Sequence, residues 1–225
     1  MEIQRVWAAY FSPTGTTEKI VTHLAEHLAK PIEHPVLYFD FTLPPARQEA
    51  KRFLKSDLVV FGVPVYAGRV PNVLLKYLNT LEGNGAQAVP VVLFGNRNYD
   101  EALKELRNLL ELRGFQTVAA GAFVGEHAFS YTLGKGRPDY ADLSVASEFA
   151  RRIFAVLRTG QVISPVRLDN EGPLGGYYQP RDQDGNPIDI RKVRPKTRDT
   201  CTDCGYCAQI CPMGSIDPAD VRNFI

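Results

Sequence analysis

The sequence predicts an α/β protein built on a doubly wound parallel sheet. Over residues 1 to 158, apolar segments typical of strands alternate with segments of helical period. The apolar runs are continuous and rich in Val, Ile, Leu and Phe, which indicates strands that helices cover on both faces. Five successive strand–helix units therefore favour a parallel sheet with helices on both sides.

The first half of this region supplies five elements. An apolar run makes Ile3–Phe11 the first predicted strand, and the amphipathic stretch Thr16–Ala29 is the first predicted helix. Val36–Phe39 is a short strand. The pattern over Pro44–Lys55 predicts a second helix. The run "DLVVFGVPV" (57–65) is apolar almost throughout, so we expect it to be a buried strand.

The second half continues the alternation. Asn72–Thr80 is predicted to be helical, and "AVPVVLFGN" (88–96) is the fourth strand. Asp100–Arg113 has a strong helical period. "FQTVAAGAFV" (115–124) is the fifth strand. Asp142–Arg158 is the last helix of the sheet domain.

The character of the chain changes after Gly160. Residues 161–200 contain "SP", "GPLGG", "QPRDQDGNP" and "RPK", a composition too irregular for regular elements. The stretch is also too long for an ordinary connection. We therefore predict a domain over 1–160, an extended linker over 161–194 and a small cysteine-containing segment over 195–225.

Composition excludes several classes of function. The 225 residues include 26 Lys and Arg against 25 Asp and Glu, so bulk attraction to nucleic acid or to a membrane surface is not expected. No apolar stretch approaches the roughly 20 residues of a membrane span. The N-terminus has no signal-peptide core, which predicts a cytoplasmic protein. All four cysteines lie between 201 and 211, so nothing suggests a disulfide framework.

The loop "SPTGTT" (12–17) separates the first strand from the first helix. A helix N-terminus offers unpaired N–H groups and a partial positive charge, which suit a phosphate. Hydroxyl groups surround Gly15, which lets the backbone approach a ligand closely. The lysine of a Walker A loop is missing, so the loop suits a phosphate that is bound and left unreacted. The alternative is that Ser12 or Thr14 merely caps the helix.

Two other strand ends carry comparable loops. Strand three ends in "GVPVYAGRVP" (62–71), and strand four ends in "GNRNYD" (95–100). In doubly wound sheets, ligands bind outside the carboxyl ends of the strands at the topological switch point. Together with the first loop, these segments would surround one flat ligand that has a phosphate tail.

The motifs "SPTGTT", "PVYAGRVP" and "GNRNYD", at these spacings, resemble those of flavodoxin-like FMN domains. The resemblance covers residues 1 to about 158 and implies a five-stranded parallel sheet of order 2-1-3-4-5. It implies that FMN phosphate is held by Ser12, Thr14, Gly15, Thr16 and Thr17. It implies that the isoalloxazine is lined by Pro64, Val65, Tyr66, Ala67 and Gly68. The other edge would be closed by Gly95, Asn96 and Arg97, with Tyr99 nearby.

The chain departs from this family in its tryptophan. Flavodoxins often place a tryptophan against the flavin, whereas Trp7, the only tryptophan here, lies in the first strand. Tyr66 is therefore the candidate for the stacking role. The alternative for Tyr66 is a surface aromatic residue at a turn.

The loop "GEHAFSYTLGKGRPDYAD" (125–142) follows the fifth strand and reaches the same edge of the sheet. Its notable polar residues are Glu126, His127 and Arg137. His127 could act near the flavin, or it could form hydrogen bonds within its own loop. The stretch around Arg137 could simply shape the entry to the last helix.

The cysteines form the run C-x2-C-x2-C-x3-C-P, with Cys201, Cys204, Cys207 and Cys211. This is the bacterial ferredoxin pattern for a [4Fe–4S] cluster. Zinc is the alternative, although zinc sites more often pair two C-x2-C knuckles across a longer gap. The basic run "RKVRPKTR" (191–198) precedes the cysteines and would compensate the anionic cluster or meet an acidic redox partner.

In two-cluster ferredoxins, the fourth cysteine of such a run ligates the other cluster. The segment "GSIDPADVRNFI" after the run looks like the middle of a ferredoxin module. Our hypothesis is that the native protein is longer, with a second cysteine run beyond residue 225 and two clusters.

Taken together, the motifs resemble flavodoxin–ferredoxin fusion proteins. The resemblance implies an electron-transfer protein that carries FMN and a 4Fe–4S cluster and serves a protein redox partner. An alternative is an FMN-dependent reductase of a quinone or another small acceptor, with His127 or Tyr66 as proton donor. The absence of a G-x-G-x-x-G fingerprint weakens direct NAD(P)H binding. A third alternative is an interaction module whose cofactor sites are vestigial.

Overall fold

A computed structural model describes residues 3–161, 163–189 and 196–224 of the chain. The strands are β1 (Arg5–Tyr10), β2 (Val36–Asp40), β3 (Asp57–Pro64), β4 (Gln87–Phe94), β5 (Gln116–Thr117) and β6 (Gly121–Val124). The α-helices are α1 (Thr16–Ala29), α2 (Leu75–Leu78), α3 (Ala102–Leu112), α4 (Tyr140–Thr159) and α5 (Tyr206–Gln209).

The strands form one parallel sheet in the order β2-β1-β3-β4-β5, with β6 also beside β4. The predicted α/β class and the order 2-1-3-4-5 are therefore confirmed. The fifth position is shared by two short strands. Between Ala88 and Val91, β4 advances three residues, while its partner advances four, from Thr117 to Gly121. This extra residue interrupts the pairing in the way that a β-bulge does.

Two apolar cores, one on each face of the sheet, explain the continuous apolar runs. Along β3, Val59 and Phe61 pack into a core rich in phenylalanine. Leu58 and Val60 pack into an aliphatic core that α1 and α4 cover. Successive side chains of a strand point to opposite faces, so burial on both faces requires apolar residues at every position.

The predicted helix over Pro44–Lys55 is wrong. The structure has one 3-10 turn, Pro44–Arg47, followed by an irregular segment with a single parallel bridge between Arg52 and Glu82. The Phe53 N–H donates to the Glu82 carbonyl at 2.9 Å, and the Phe53 ring packs fully buried against Trp7. A long-range backbone pairing and a buried aromatic ring thus override the local helical pattern.

The other helices differ from the prediction only in extent. Asn72–Thr80 contains a 3-10 turn followed by the single turn α2. The last helix begins at Tyr140, because the Asp139 side chain accepts hydrogen bonds from the N–H groups of Ala141 and Asp142. Asp142 completes a capping box by accepting from the Asp139 N–H at 2.9 Å.

Two later segments pack on the sheet domain. Residues 163–178, here called the strap, run along α3 and receive hydrogen bonds from Lys104 and Arg107. The cysteine segment lies against the turn at Pro44–Arg47, where Arg47 donates to the Pro212 carbonyl. Within the ranges that the structure describes, no helix has the length and apolar character needed to cross a membrane.

The close packing of α1 on β3 can be tested at Gly62. A Cβ atom added there would lie 2.2 Å from Val21 Cγ2 and 3.0 Å from Thr17 Cγ2. We expect Gly62→Ala to lower the free energy of unfolding by about 1–3 kcal/mol, because overpacking forces α1 away from the sheet. Gly176→Ala is the matched control, since an added Cβ there meets nothing within 4 Å. Denaturant unfolding measures both, and equal stabilities would contradict the packing.

Candidate functional site

The loop between β1 and α1 is a tight turn at the carboxyl end of the sheet. Gly15 has φ of 80°, a left-handed conformation that favours glycine, and its N–H donates to the Ser12 carbonyl at 3.2 Å. The Ser12 N–H donates to Thr42 Oγ1 at 2.8 Å, which ties the loop to the end of β2. This conformation lets α1 begin directly at Thr16.

The start of α1 fits a phosphate. The N-cap residue of α1 is Gly15, and neither Ser12 nor Thr14 occupies that position, but Ser12 Oγ accepts from the Glu18 N–H in the first turn at 2.9 Å. Within the part of the chain that the structure describes, the N–H groups of Thr16 and Thr17 have no hydrogen-bond acceptor. Thr14 is exposed, with Oγ1 3.4 Å from Thr16 Oγ1. Free N–H groups at a helix N-terminus form an anion site.

The loop after β3 contains a type I′ turn. The N–H groups of Tyr66 and Arg69 donate to each other's carbonyls at 2.9 and 3.0 Å. Ala67 and Gly68 between them have φ of 50° and 75°, and two positive φ values define this turn. Pro64 and Val65 lead into the turn from β3, and they are half-buried.

The turn is fixed to α3 by a buried ion pair. The Arg69 guanidinium binds both carboxylate oxygens of Glu105 at 2.8 and 2.6 Å, and Glu105 also accepts from the Val70 N–H at 2.8 Å. The Arg69 and Glu105 side chains are only 12% and 6% exposed. The hydrogen bond with Glu105 raises the pKa of Arg69 above its ordinary value.

The loop after β4 packs directly against this turn. The Glu101 N–H donates to the Gly68 carbonyl at 2.9 Å, and a Cβ atom added at Gly68 would lie 2.3 Å from Asp100 Oδ2. Asn96 has φ of 60°, and Arg97 forms an ion pair with Asp100. The structure thus brings the two loops into contact, through Gly68 on one side and Asp100 and Glu101 on the other.

The loop after β6 closes in from the opposite side. The His127 ring packs on Gly95, where an added Cβ would lie 2.5 Å from His127 Cδ2. His127 Nδ1 accepts from the Phe129 N–H at 3.1 Å, which is the bond within the loop that the sequence allowed. Arg137 forms an ion pair with Asp142 at the start of α4, so it shapes the entry to that helix.

Two predicted aromatic side chains lie exposed at this edge. Tyr66 is 42% exposed, and partial burial raises the pKa of its hydroxyl. Tyr99 is 37% exposed and packs on Phe94 with ring centroids 5.6 Å apart. Trp7 contacts Phe53 instead, away from these loops. Tyr66 and Tyr99 thus expose aromatic surface on the loops after β3 and β4.

Sequence reasoning missed two tyrosines of the strap. The Tyr178 N–H donates to the Ala67 carbonyl at 2.8 Å, and the Arg97 guanidinium lies over the Tyr178 ring at 4.2 Å. The Arg69 guanidinium lies over the Tyr177 ring at 4.9 Å. The sequence does offer one indication of these residues: two adjacent tyrosines stand in the otherwise glycine-rich and polar stretch "GPLGGYYQP".

The four cysteines are all unpaired thiols. Cys201 and Cys211 are half-buried, and Cys204 and Cys207 are exposed. Across the described ranges, no three His, Cys, Asp or Glu side chains are gathered into a metal-binding group. Gly205 has φ of 73° at the start of α5, which gives the tight path expected between the second and third cysteines.

The surroundings of Cys211 fit a thiolate ligand. Burial raises the pKa of the Cys211 thiol, but hydrogen bonds from Ser215 and from the backbone at Met213 and Gly214 outweigh it, and the pKa lies below its usual value. The Ser215 hydroxyl is 3.5 Å from Sγ. Four thiols at the spacing C-x2-C-x2-C-x3-C are the donor set of a [4Fe–4S] cluster, so the fit rests on the chemistry and spacing of these residues. Residues 191–195, most of the basic run, lie outside the described residues.

Comparison with protein families gives two matches along the chain. Residues 6–130 match the family described as NADPH-dependent FMN reductase, and residues 195–217 match the 4Fe-4S binding domain. The first match spans more than half of the chain, so the protein belongs to the NADPH-dependent FMN reductase family. No curated protein sequence matches the chain.

Several solved structures are similar to the sheet domain. A flavodoxin from Streptococcus pneumoniae TIGR4 is 19% identical, covers 67% of this chain and 97% of its own, and has a TM-score of 0.46. Flavodoxin 2 from Bacillus cereus is 19% identical with the same coverages and a TM-score of 0.49. Rubredoxin oxygen:oxidoreductase from Desulfovibrio gigas is 20% identical, covers 70% of this chain and 37% of its own, and has a TM-score of 0.49.

The order of the two family matches confirms the flavodoxin–ferredoxin arrangement that the motifs suggested. The chain is a flavoprotein with an iron–sulfur domain, and its cofactors are FMN and a 4Fe–4S cluster. Both domains serve electron transfer, so the protein has a redox partner. The zinc alternative for the cysteine run is not supported by the second match.

The ion pair that holds the turn after β3 can be tested at Glu105. We expect Glu105→Gln to lower the free energy of unfolding by about 3 kcal/mol, because it leaves the Arg69 guanidinium buried without its countercharge. Glu82→Gln is the matched control. Its partner Arg52 is 73% exposed, and loss of an exposed pair costs at most about 1 kcal/mol. Denaturant unfolding compares them, and an equal effect would contradict the role of burial.

Proposed function

We propose that this chain transfers electrons between FMN, held by residues 1–160, and a 4Fe–4S cluster, held by residues 195–225, and then to a protein partner. In this proposal the loop 12–17 binds the phosphate, and the loops 64–68 and 95–99 line the isoalloxazine. Cys201, Cys204, Cys207 and Cys211 ligate the cluster. When bound, FMN supplies two-electron or one-electron chemistry, and the cluster supplies one-electron chemistry.

The observation that carries the proposal is the contact between the sheet domain, near the loop 12–17, and the cysteine segment. Arg47 donates through Nη1 to the Phe41 and Thr42 carbonyls, each at 2.6 Å, and through Nη2 to the Pro212 carbonyl. Thr42 Oγ1 in turn accepts from the Ser12 N–H at 2.8 Å. Two side chains therefore join the phosphate loop to the residue next to Cys211. This short connection supports electron exchange within one chain.

The surroundings of Arg47 suit a fixed bridge. Burial lowers the pKa of Arg47 below its ordinary value, yet a guanidinium remains charged at neutral pH. The guanidinium also lies over the Phe11 ring at 5.5 Å. A Cβ atom at Gly214 would lie 3.2 Å from Pro44 Cγ, so the backbone after the last cysteine packs closely on the same turn. These contacts would hold the cluster segment against the flavin domain.

A second candidate function is reduction of a small acceptor, such as a quinone, at the flavin. It is favoured by the family description, NADPH-dependent FMN reductase, and by the His127 ring against Gly95. In that case His127 or Tyr66 would donate the proton. Rapid steady-state turnover of a quinone with NADPH alone would favour this function over the carrier.

The cofactor assignment is tested by anaerobic reconstitution of the full chain and of Cys204→Ser. We expect the wild-type chain to bind one FMN and about four iron atoms per cluster, and both chromophores to bleach on reduction. The variant should lose iron and cluster absorbance while retaining FMN, because Cys204 lies far from the flavin loops in sequence. Iron and flavin analyses measure the two contents. A variant that keeps its full iron content would contradict the ligand assignment.

The bridge is tested by Arg47→Ala. After selective photoreduction of the flavin, we expect cluster reduction within the chain to slow by roughly tenfold or more, because small displacements of reacting groups are costly. Cofactor content should stay unchanged. Arg52→Ala is the matched control, since Arg52 is 73% exposed and forms a surface ion pair with Glu82. Unchanged transfer rates in Arg47→Ala would contradict the proposed role of this contact.

A further inference from the structure

We propose that the strap, residues 163–178, forms a wall of the flavin site and that Tyr178 contacts the isoalloxazine. The inference rests on the proposed placement of FMN at the loops after β1, β3 and β4. It assigns a binding role to a segment that the sequence predicts to be only a linker.

The strap is anchored along α3 by charged side chains that it buries. Lys104 Nζ donates to the Gly172 carbonyl at 2.9 Å. Arg107 donates to the Val166 carbonyl at 2.8 Å and binds both oxygens of Glu171 at 2.9 and 2.5 Å. The Lys104 and Arg107 side chains are only 5% and 7% exposed. Lysine and arginine are rarely buried to this extent unless paired, so the docked strap is part of the packing of α3.

The anchor at Glu171 is electrostatically favourable. Hydrogen bonds from Arg107 and from the Leu168 backbone lower the pKa of the Glu171 carboxyl to about 2. The Leu168 N–H is 2.8 Å from Glu171 Oε1. At neutral pH the carboxylate is therefore charged and matched to the guanidinium.

The C-terminal end of the strap is fixed to the loops after β3 and β4. Arg69 Nη1 donates to the Gly175 carbonyl at 2.5 Å, and the Tyr178 N–H donates to the Ala67 carbonyl at 2.8 Å. The Arg97 guanidinium over the Tyr178 ring adds a contact from the loop after β4. Tyr178 thus touches both loops that would line the isoalloxazine, at the place where they meet.

Tyr178 is better placed for this role than its neighbour. The Tyr177 ring packs on Arg69, whose guanidinium is held by the buried Glu105 on α3. The two tyrosines are similarly exposed, at 44% and 48%, but it is Tyr178 that bonds to Ala67 and contacts Arg97, while its ring retains free surface. A flat ligand between these loops would gain an aromatic neighbour there, and aromatic rings pair favourably by offset stacking or edge contact.

The test is titration of the full apo-chain with FMN, followed by flavin fluorescence quenching and visible circular dichroism. We expect Tyr178→Ala to raise the Kd for FMN about tenfold and to increase the fluorescence of the bound flavin, as loss of a stacked aromatic residue does. Tyr178→Phe should retain the wild-type Kd within about threefold, because it keeps the ring. Tyr140→Ala, at the exposed start of α4, is the control and should bind as the wild type does.

A second variant removes the anchor without touching the tyrosine. Glu171→Ala should also raise the Kd, because it removes the ion pair that holds this part of the strap to Arg107, and limited proteolysis should then cut the strap faster. If the wild-type chain does not bind FMN, the proposed function fails. If the wild type binds FMN and both Tyr178→Ala and Glu171→Ala bind it with unchanged Kd and unchanged flavin spectra, the role of the strap is overturned and the proposed function stands.

Discussion

The parallel hydrogen-bond ladder of β1, β3 and β4 is the constraint on which the rest of the structure depends. The ladder continues past the strands: the Phe11 N–H donates to the Gly62 carbonyl at 3.1 Å, and the Val65 N–H donates to the Leu93 carbonyl at 2.8 Å. These bonds fix the residue at which each loop leaves the sheet. The candidate flavin loops, those after β1, β3 and β4, therefore all begin at the same edge of the sheet, at the carboxyl ends of the strands.

Helix α3 has a second role beyond covering the sheet. Its buried Glu105 holds the turn after β3 through Arg69, while its Lys104 and Arg107 hold the strap. One short helix thus positions two parts of the candidate flavin site. These buried charged side chains have backbone and carboxylate partners, which offset the cost of removing their charges from water.

The elements that local chemistry determines could be predicted from the sequence. The first helix, Thr16–Ala29, begins after Gly15, where the structure has it, and the order of the sheet is the one implied by the resemblance to flavodoxin-like domains. The spacing of the cysteines likewise indicated a cluster, since the pattern is local. By contrast, the helix predicted over Pro44–Lys55 failed because Phe53 pairs with a residue far along the chain.

The strap could not be predicted for a related reason. In the sequence, Lys104 and Arg107 look like ordinary exposed charges of an amphipathic helix. Their partners, Gly172 and Glu171, lie more than sixty residues later. Nothing local relates the two segments. The contact of Arg47 with Pro212 was hidden in the same way, because it joins residues 165 positions apart.

The length of the strap is constrained by its two points of attachment. The strap is held at Glu171 by Arg107 and at Tyr178 by Ala67, so the six residues between these two positions must span a fixed distance over α3. An ordinary linker tolerates insertions and deletions. Here, a change of even one residue between the two anchors would shift the tyrosines past the loops they contact. We therefore expect insertions and deletions to be tolerated before Val166 and after Tyr178, and not between Glu171 and Tyr178.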